Sequence, residues 1–360
     1  MTTAPPLTPG PDLRGLLVDD RYQLVEPLAW GGMATVYVAL DLKLRRRVAV
    51  KVIHPEHART STQRLRFLQE ALLGAKIDHP NVVPVLDVGD VPGPGWAGER
   101  LLFLVMPLIR GQTLRSVILD GPMPWTRAVD LSGQLLAGLA AIHRVGAFHR
   151  DIKPENCIVD RHDDIERLRL ADLGLAKVVV AEGPLTHPPV SLAGTLVGTL
   201  TYLSPEQAQG LPLDERADLY AVGVVLYELL TRRPPFVGKH LDLLNAHVTE
   251  APMSPRALAP AAEIPAAVEA ALLRALAKKP DDRFATAEAF AAALADASRR
   301  ASPVTTTAAA PGHVGCVAAR ASLAAWTRME FSLAHEESAR AARQDPAWMP
   351  LKVLMSCLPE

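Results

Sequence analysis

Cysteine is scarce: Cys157, Cys316 and Cys357 stand alone among 360 residues, with no Cys-x-x-Cys pair and no histidine cluster at ligand spacing. That argues against a disulfide scaffold or a structural zinc site and makes a reducing compartment the simpler reading. Aromatic residues are few, 5% of the chain against 49% apolar residues in all, so the core must be mostly aliphatic. Neither sign of charge dominates, since 38 basic and 39 acidic residues leave a formal net charge of −1. A dedicated nucleic-acid binder usually carries a clear basic excess, so nucleic acid is not an expected partner. Long apolar runs are missing too. The run LYAVGVVLYELL from Leu219 falls well short of the ~20 residues that cross a bilayer, so no membrane span is expected. The start, MTTAPPLTPGPDLRG, has no basic stretch followed by an apolar block and does not read as a secretory signal. A cytoplasmic protein is the expectation.

Local patterns divide the chain. Residues 1–20, rich in Pro, Thr and Gly, read as a flexible N-terminal extension. From Arg21 the stretches RYQLVEPLAW, TVYVALD and RRVAVKVI mix branched apolar and polar residues over strand lengths, and NVVPVLDVG and RLLFLVMPL follow as further strands. Between them Ser61 to Lys76 reads as a helix, with Leu65, Leu68, Leu72 and Ala75 at three- and four-residue steps. Beyond Gly111 the pattern turns helical, over 125–144, 214–231, 239–249, 265–278 and 286–298. Strands first and helices after predict an α+β protein of two lobes, a small β-rich lobe over 21–109 and a larger helical lobe over 110–298. The small, polar, Pro-bounded stretch 299–312 reads as a linker, and 313–360 as a helical tail broken at Asp345-Pro346.

Four clusters carry chemistry. LAWGGMATVY, from Leu28 to Tyr37, sits between two predicted strands; its small residues would let backbone N–H groups approach a polyphosphate, although a Gly-Gly pair there is more often a plain hairpin turn. VAVK ends at Lys51, with Glu70 inside the predicted helix; a lysine turned inward on a strand needs an anion, either a phosphate or a helix carboxylate. HRDIKPEN, from His149 to Asn156, is the most specific stretch. Asp151 offers a carboxylate to receive a hydroxyl proton, Lys153 a cation for a transferring phosphoryl group, and Asn156 an amide oxygen for a metal. In RLADLGLAK, Asp172 follows an apolar strand and suits Mg²⁺, a hard cation that prefers oxygen ligands.

Further on come GTLTYLSPEQA, with Ser204-Pro205-Glu206, then DLYAVG at Asp218 and DDRF at Arg283. In this order the motifs resemble the protein kinases, specifically the bacterial eukaryotic-like (Hanks-type) serine/threonine branch, over residues 21–298. The resemblance implies the two-lobed protein kinase fold and an ATP-dependent serine/threonine kinase, with protein substrates, in bacterial signalling. It makes Asp151 the catalytic base and Lys153 the group that neutralises the γ-phosphate. Asn156 and Asp172 would hold Mg²⁺, with Mn²⁺ as the alternative ion. Lys51, fixed by Glu70, would contact the α- and β-phosphates, under a glycine loop of Leu28, Gly31 and Gly32. Val36, Ala49 and Ile158 would sandwich adenine, with Met106 at the gatekeeper position, Pro107 supplying a carbonyl and Ile109 an N–H at the hinge.

The glycine loop departs from the family pattern, with Ala29 and Ala34 at the first and third glycine positions. An alanine forced to φ > 0 would cost about 1 kcal/mol, so a raised ATP KM is expected. Leu173 stands where the family has Phe. Arg150 is the family's usual partner for a phosphorylated activation-loop residue, and Ser191, then Thr195 and Thr186, are the candidate autophosphorylation sites. Thr199, Asp218 and the Glu206–Arg283 pair resemble scaffold residues. In the tail, Ala334, Ala341 and Pro346 match the second helix of a tetratricopeptide-like repeat. The rival reading is a helical hairpin that docks on the large lobe or makes a homodimer or protein contact. Two other classes compete with an active kinase: a nucleotide-binding pseudokinase scaffold acting through its tail, and a small-molecule kinase. The intact Lys51, Asp151, Asn156 and Asp172 oppose the first, and the SPE segment with its matching arginine opposes the second.

Overall fold

Alternation of side chains across the N-terminal strands builds two cores on the two faces of one sheet. The computed structural model describes residues 12–31, 34–55, 60–92, 100–162, 165–172 and 200–301, without the side chains of Ser61, Thr62, Gln63, Arg66, Gln69 and Glu70. All of these belong to the first of two units, Met1–Ser302 and Pro303–Glu360. Gly32, Leu173, Thr186, Ser191, Thr195, Thr199, the Glu70 side chain and the tail therefore lie outside the described residues.

The first sheet comprises β1 (Leu17–Val18), β2 (Tyr22–Trp30), β3 (Ala34–Asp41), β4 (Arg46–Ile53), β5 (Asp87–Pro92) and β6 (Arg100–Pro107). Its order is β1-β2-β3-β4-β6-β5, antiparallel at each named pairing. The register pairs Val36 with Lys51, Val38 with Ala49, Ala49 with Met106 and Lys51 with Leu104. Directly paired residues share a face, so Lys51 lies on the same face as Ala49, Met106 and Leu104. That face joins Phe67 and Ala71 of α1 (Ser61–Gly74) in one apolar cluster. The opposite face gathers Tyr37, Val48, Val50, Val52, Phe103 and Val105 with Leu13, Val18 and Tyr22.

Several expectations need correction. Residues 12–20 are not a loose extension: Leu13 and Val18 are buried, and Gly15 N–H donates to Leu24 O at 2.8 Å. The buried face of α1 is Phe67 and Ala71, whereas Leu65 and Leu72 are more than half exposed. Their spacing fits a helix, but the sheet meets a different stripe. The strand expected over 81–89 forms only from Asp87, because Pro84 has no N–H to donate and residues 81–83 pair elsewhere.

The larger lobe comprises α2 (Leu114–Asp120), α3 (Trp125–Arg144), α4 (Pro205–Gln209), α5 (Arg216–Thr231), α6 (His240–Thr249), α7 (Pro255–Leu258), α8 (Ala266–Ala275) and α9 (Ala287–Ala301). The last helix carries three residues, 299–301, that sequence assigns to the linker. A second sheet joins β7 (Gln112–Thr113), β8 (Cys157–His162) and β9 (Ile165–Leu170) in that order; β9 is the apolar strand expected before Asp172, while β7 and β8 were missed by the helical reading. α3 keeps an unbroken aliphatic period behind Pro124 and carries His143 and Arg144 in its last turn, where cations suit the helix dipole. α5 is buried from Ala217 to Leu230, so every polar group on it must find a partner. Among the described residues no helix is long and apolar enough to cross a membrane.

Candidate active site

The loop after α3 is fixed from behind. Asp218, in the first turn of α5 and 2% exposed, accepts from His149 N at 2.9 Å and Arg150 N at 2.8 Å, while His143 Nε2 lies 2.9 Å from its Oδ2. His149 is fully buried, with Nε2 at 3.0 Å from Ala171 O, which only a protonated nitrogen can satisfy. Burial holds its pKa below the ordinary histidine value despite the nearby Asp218 charge, so the ring is neutral. Between these anchors Arg150 adopts φ +60, a left-handed conformation that persists only when its surroundings enforce it.

This arrangement presents the next residues to the cleft. Lys153 Nζ donates to Asp151 Oδ2 at 2.9 Å. Asn156, closing a short 3₁₀ turn over Pro154–Asn156, donates through Nδ2 to Asp151 O at 2.8 Å and Asp151 Oδ2 at 3.2 Å, leaving its amide oxygen as an acceptor. Asn156 O in turn accepts from Ala171 N at 2.8 Å, tying the loop to the end of β9. Asp172 follows at φ +61, and Lys51 Nζ reaches its Oδ1 at 2.6 Å across the cleft. Asp151, Lys153, Asn156, Asp172 and Lys51 are thus brought together.

The proposed adenine residues converge less completely. Val36, Ala49, Met106 and Ile109 belong to the inner-face cluster. Ile158 comes from the other lobe on β8, opposite Thr113 and Arg169, and Leu28 is 55% exposed and outside the cluster. Gly111, just past the hinge, lies so close to β8 that a Cβ there would meet Val159 O at 2.5 Å. Gly31 closes the β2–β3 turn by donating to Ala34 O at 2.9 Å. Neither Ala29 nor Ala34 has positive φ, so the strain anticipated for them is not present. Ala34 is instead 6% exposed, packed beside Ile53, Phe67 and Ala71.

The donor set bears on metal binding. Asp172 keeps Oδ2 clear of Lys51 and Asn156 keeps its amide oxygen, two hard oxygen donors suited to Mg²⁺. Among the described residues no group of three His, Cys, Asp or Glu side chains could hold a metal alone. A Mg²⁺ ion commonly takes its remaining ligands from phosphate and water, so two protein oxygens fit it.

Two supporting arrays surround the site. Ser204 caps α4 in a capping box with Gln207, Pro205 occupies the first turn and Gly210 ends the helix at φ +66, which fixes the following Glu206. Glu206 meets Arg283 in a buried bidentate pair, NH1–Oε1 2.7 Å and NH2–Oε2 2.8 Å. Arg283 spends its other donors on Ala277 O, Arg216 O and Lys278 O. The second array escaped sequence reasoning. Arg115 of α2 donates to Glu155 Oε1 at 2.8 Å, to Glu228 Oε1 at 2.5 Å and to the Tyr202 hydroxyl, which itself donates to Glu228 Oε2 at 2.5 Å. Burial, then the Glu228 charge, raises the Tyr202 pKa, keeping the phenol a donor. The only available signal was a buried-helix glutamate at Glu228, which needs a cation.

Comparison with known proteins shows the chain's family. Residues 22–294 match the protein kinase domain family. Over 279 residues the chain is 38% identical to the serine/threonine-protein kinase PknB of Mycolicibacterium smegmatis, covering 77% of this chain and 43% of that protein. Over 300 residues it is 37% identical to the serine/threonine-protein kinase pkn2 of Myxococcus xanthus, covering 83% of this chain and 35% of that one. The chain therefore spans less than half the length of these curated relatives. The solved kinase domain of Mycobacterium tuberculosis PknI superposes with a TM-score of 0.61 at 25% identity, covering 79% of this chain and 98% of that one. The chain belongs to the protein kinase family, in the bacterial eukaryotic-like (Hanks-type) branch of serine/threonine kinases.

Proposed function

We propose that this protein is an ATP-dependent serine/threonine protein kinase that transfers the γ-phosphoryl group of ATP to Ser or Thr hydroxyls of cytoplasmic proteins in bacterial signalling. The observation that carries the proposal is Asp151, placed 2.9 Å from Lys153 Nζ on a loop whose backbone Asp218 grips at two successive N–H groups. Phosphoryl transfer asks mainly for positioning and charge neutralisation, and that is what this cluster supplies. Asp151 orients the acceptor hydroxyl and receives its proton as the new O–P bond forms and the bond to the ADP oxygen breaks. Lys153, already within reach of the same carboxylate, offsets charge on the moving phosphoryl group. Lys51 holds Asp172 until nucleotide phosphates offer its ammonium a second anion. Asn156 and Asp172 would hold Mg²⁺, with Mn²⁺ as an alternative, which when bound neutralises phosphate charge.

A protein acceptor is favoured over a small molecule by the buried Glu206–Arg283 pair, which anchors the segment entering α4 beside the cleft. Autophosphorylation at Ser191, Thr195 or Thr186 is part of the same proposal, as is a partner or homodimer contact through residues 313–360. The test is transfer of label from ATP and Mg²⁺ to the chain itself and to a generic protein acceptor, compared with Asp151→Asn. Loss of the base is expected to slow transfer by about 10²–10⁴-fold. Equal labelling in the variant would overturn the assignment of Asp151, and nucleotide binding without any transfer by the natural chain would favour the scaffold reading.

A further inference from the structure

β9 is the outer strand of its sheet, and it leads through Ala171 directly to Asp172. Its residues alternate in which edge they face. Glu166, Leu168 and Leu170 turn their backbone groups away from β8, an edge that would be left bare inside the lobe, where Leu168 and Leu170 are 0% and 1% exposed. Buried backbone groups must be paired. Among the described residues no continuous strand does this. Instead, Gln134 of α3 accepts from Leu168 N through Oε1 at 2.8 Å and donates from Nε2 to Glu166 O at 3.1 Å. Asn81, in the connection between α1 and β5, donates from Nδ2 to Leu168 O at 2.7 Å, and its backbone O accepts from Leu170 N at 2.8 Å. Val83 N then donates to Leu170 O at 2.9 Å.

The pattern is that of a parallel neighbour. In a parallel ladder one residue donates to the carbonyl before its opposite number and accepts from the N–H after it. Gln134 does so across Arg167 with a single side-chain amide, and Asn81 does so across Arg169 with one side-chain and one backbone group. The two amides also touch, Asn81 Nδ2 to Gln134 Oε1 at 3.1 Å. Gln134 Nε2 has a second acceptor in Asp130 Oδ2 at 2.9 Å, so both its hydrogens and both its lone pairs are used. The close approach depends on Gly138, one turn further along α3, where a Cβ would meet Asn81 O at 2.7 Å.

We infer that Gln134, together with Asn81, is a positioning residue for Asp172: their amides stand in for a missing strand and fix the end of β9 from which the metal-facing acid projects. This rests on the kinase reading for the role of Asp172. Beyond the mimicked ladder, Ala171 is held by Asn156 O and the His149 ring, so the left-handed Asp172 begins from a backbone fixed on every side. Because Asn81 belongs to the small lobe's connection and Gln134 to the large lobe, the same contacts make the position of Asp172 depend on how that connection sits on α3.

The test uses the full chain with Gln134→Met, which keeps length and helix propensity but loses the amide, and Gln134→Glu, which keeps the acceptor for Leu168 N and loses the donor to Glu166 O. Two readouts are taken: hydrogen exchange of the Leu168 and Leu170 amides by NMR, and the Mg²⁺ concentration that half-saturates nucleotide binding by calorimetry. Gln134→Met is expected to expose the Leu168 amide and to raise the half-saturating Mg²⁺ about tenfold, the low end for losing a group that orients a metal ligand. Gln134→Glu should fall between, and Gly138→Ala, which displaces Asn81, should shift Mg²⁺ in the same direction. Faster exchange with an unchanged Mg²⁺ requirement would reduce Gln134 to a structural residue and overturn the inference, as would unchanged exchange. If the natural chain transfers no label from ATP and Mg²⁺, the kinase reading fails while the exchange result still reports on the amide ladder.

Discussion

The catalytic loop and the glycine-loop hairpin line the same cleft but are held in different ways. Behind the loop, Asp218 and His149 are buried; Asp218, itself bonded to His143, accepts from the two backbone N–H groups that precede Asp151, and His149 ties the loop to Ala171 O. On the hairpin, Leu28 and Trp30 are 55% and 52% exposed, and the strand pairing of β2 with β3 is broken by two irregularities, between Leu24 and Glu26 and between Pro27 and Ala29. The groups proposed to do proton and charge work therefore stand on a preorganised base, where a small displacement would be costly in rate. The edge proposed to cover nucleotide leaves Leu28 and Trp30 exposed, the signature of low local stability, and is placed to yield to a ligand.

If the large lobe is rigid because its buried charges are fully paired, breaking one pair should cost the most. Glu206→Ala would leave the Arg283 guanidinium, 0% exposed at its side chain, without its anion. The expected loss is about 3–5 kcal/mol of stability, read from urea unfolding. A loss below about 1 kcal/mol, the value of an exposed pair, would mean that the three carbonyls around Arg283 suffice and that the pairing is not what stiffens this lobe.

A second break comes from acid. His247 of α6 is fully buried between Tyr220 and Phe236, with Nδ1 2.9 Å from the Tyr220 hydroxyl. Burial first, and the nearby Lys278 charge second, push its pKa down to about 4 from 6.5. As pH falls below 6.5 the unfolded chain takes up a proton that the native ring refuses, so stability is lost progressively until about pH 4. The group's full effect over that window is up to about 3 kcal/mol. His149, also held neutral by burial, acts in the same direction. Unfolding measured from pH 4 to 7 should show the decline, and His247→Gln should flatten part of it. An unchanged slope in that variant would assign the acid sensitivity to other groups.

The contrast between the lobes also explains what the sequence made legible. The span Trp125–Arg144 is read correctly to the residue because its aliphatic period is unbroken and Pro124 fixes its start. The charged run from His149 to Asn156 stands out because it interrupts apolar elements, and the structure gathers its polar groups at one place. Leu65 and Leu72 mislead because periodicity reports that a helix has apolar residues, not which stripe the sheet covers. The Arg115 array and the amide ladder on β9 were invisible for a different reason. Each joins polar groups far apart in sequence, such as Arg115 with Glu228 and Asn81 with Leu168, and no local pattern encodes which distant acceptor a donor will meet.

The smallest effects should come from the glycine-loop alanines, and they sharpen the comparison from the other side. Ala29 is exposed and its φ is negative, so Ala29→Gly relieves no strain; it only adds the backbone entropy cost of glycine in a strand, about 0.5–1 kcal/mol. Ala34→Gly also removes a buried methyl that packs by Phe67 and Ile53, worth about 0.8 kcal/mol more. Both variants should leave the ATP KM within about twofold, the scatter of a substitution that touches no special feature. A severalfold fall in KM for Ala29→Gly alone, measured at saturating acceptor, would show that the alanine restrains the hairpin. The cover of the cleft would then be held by its own backbone and not, as its exposure indicates, free to follow the nucleotide.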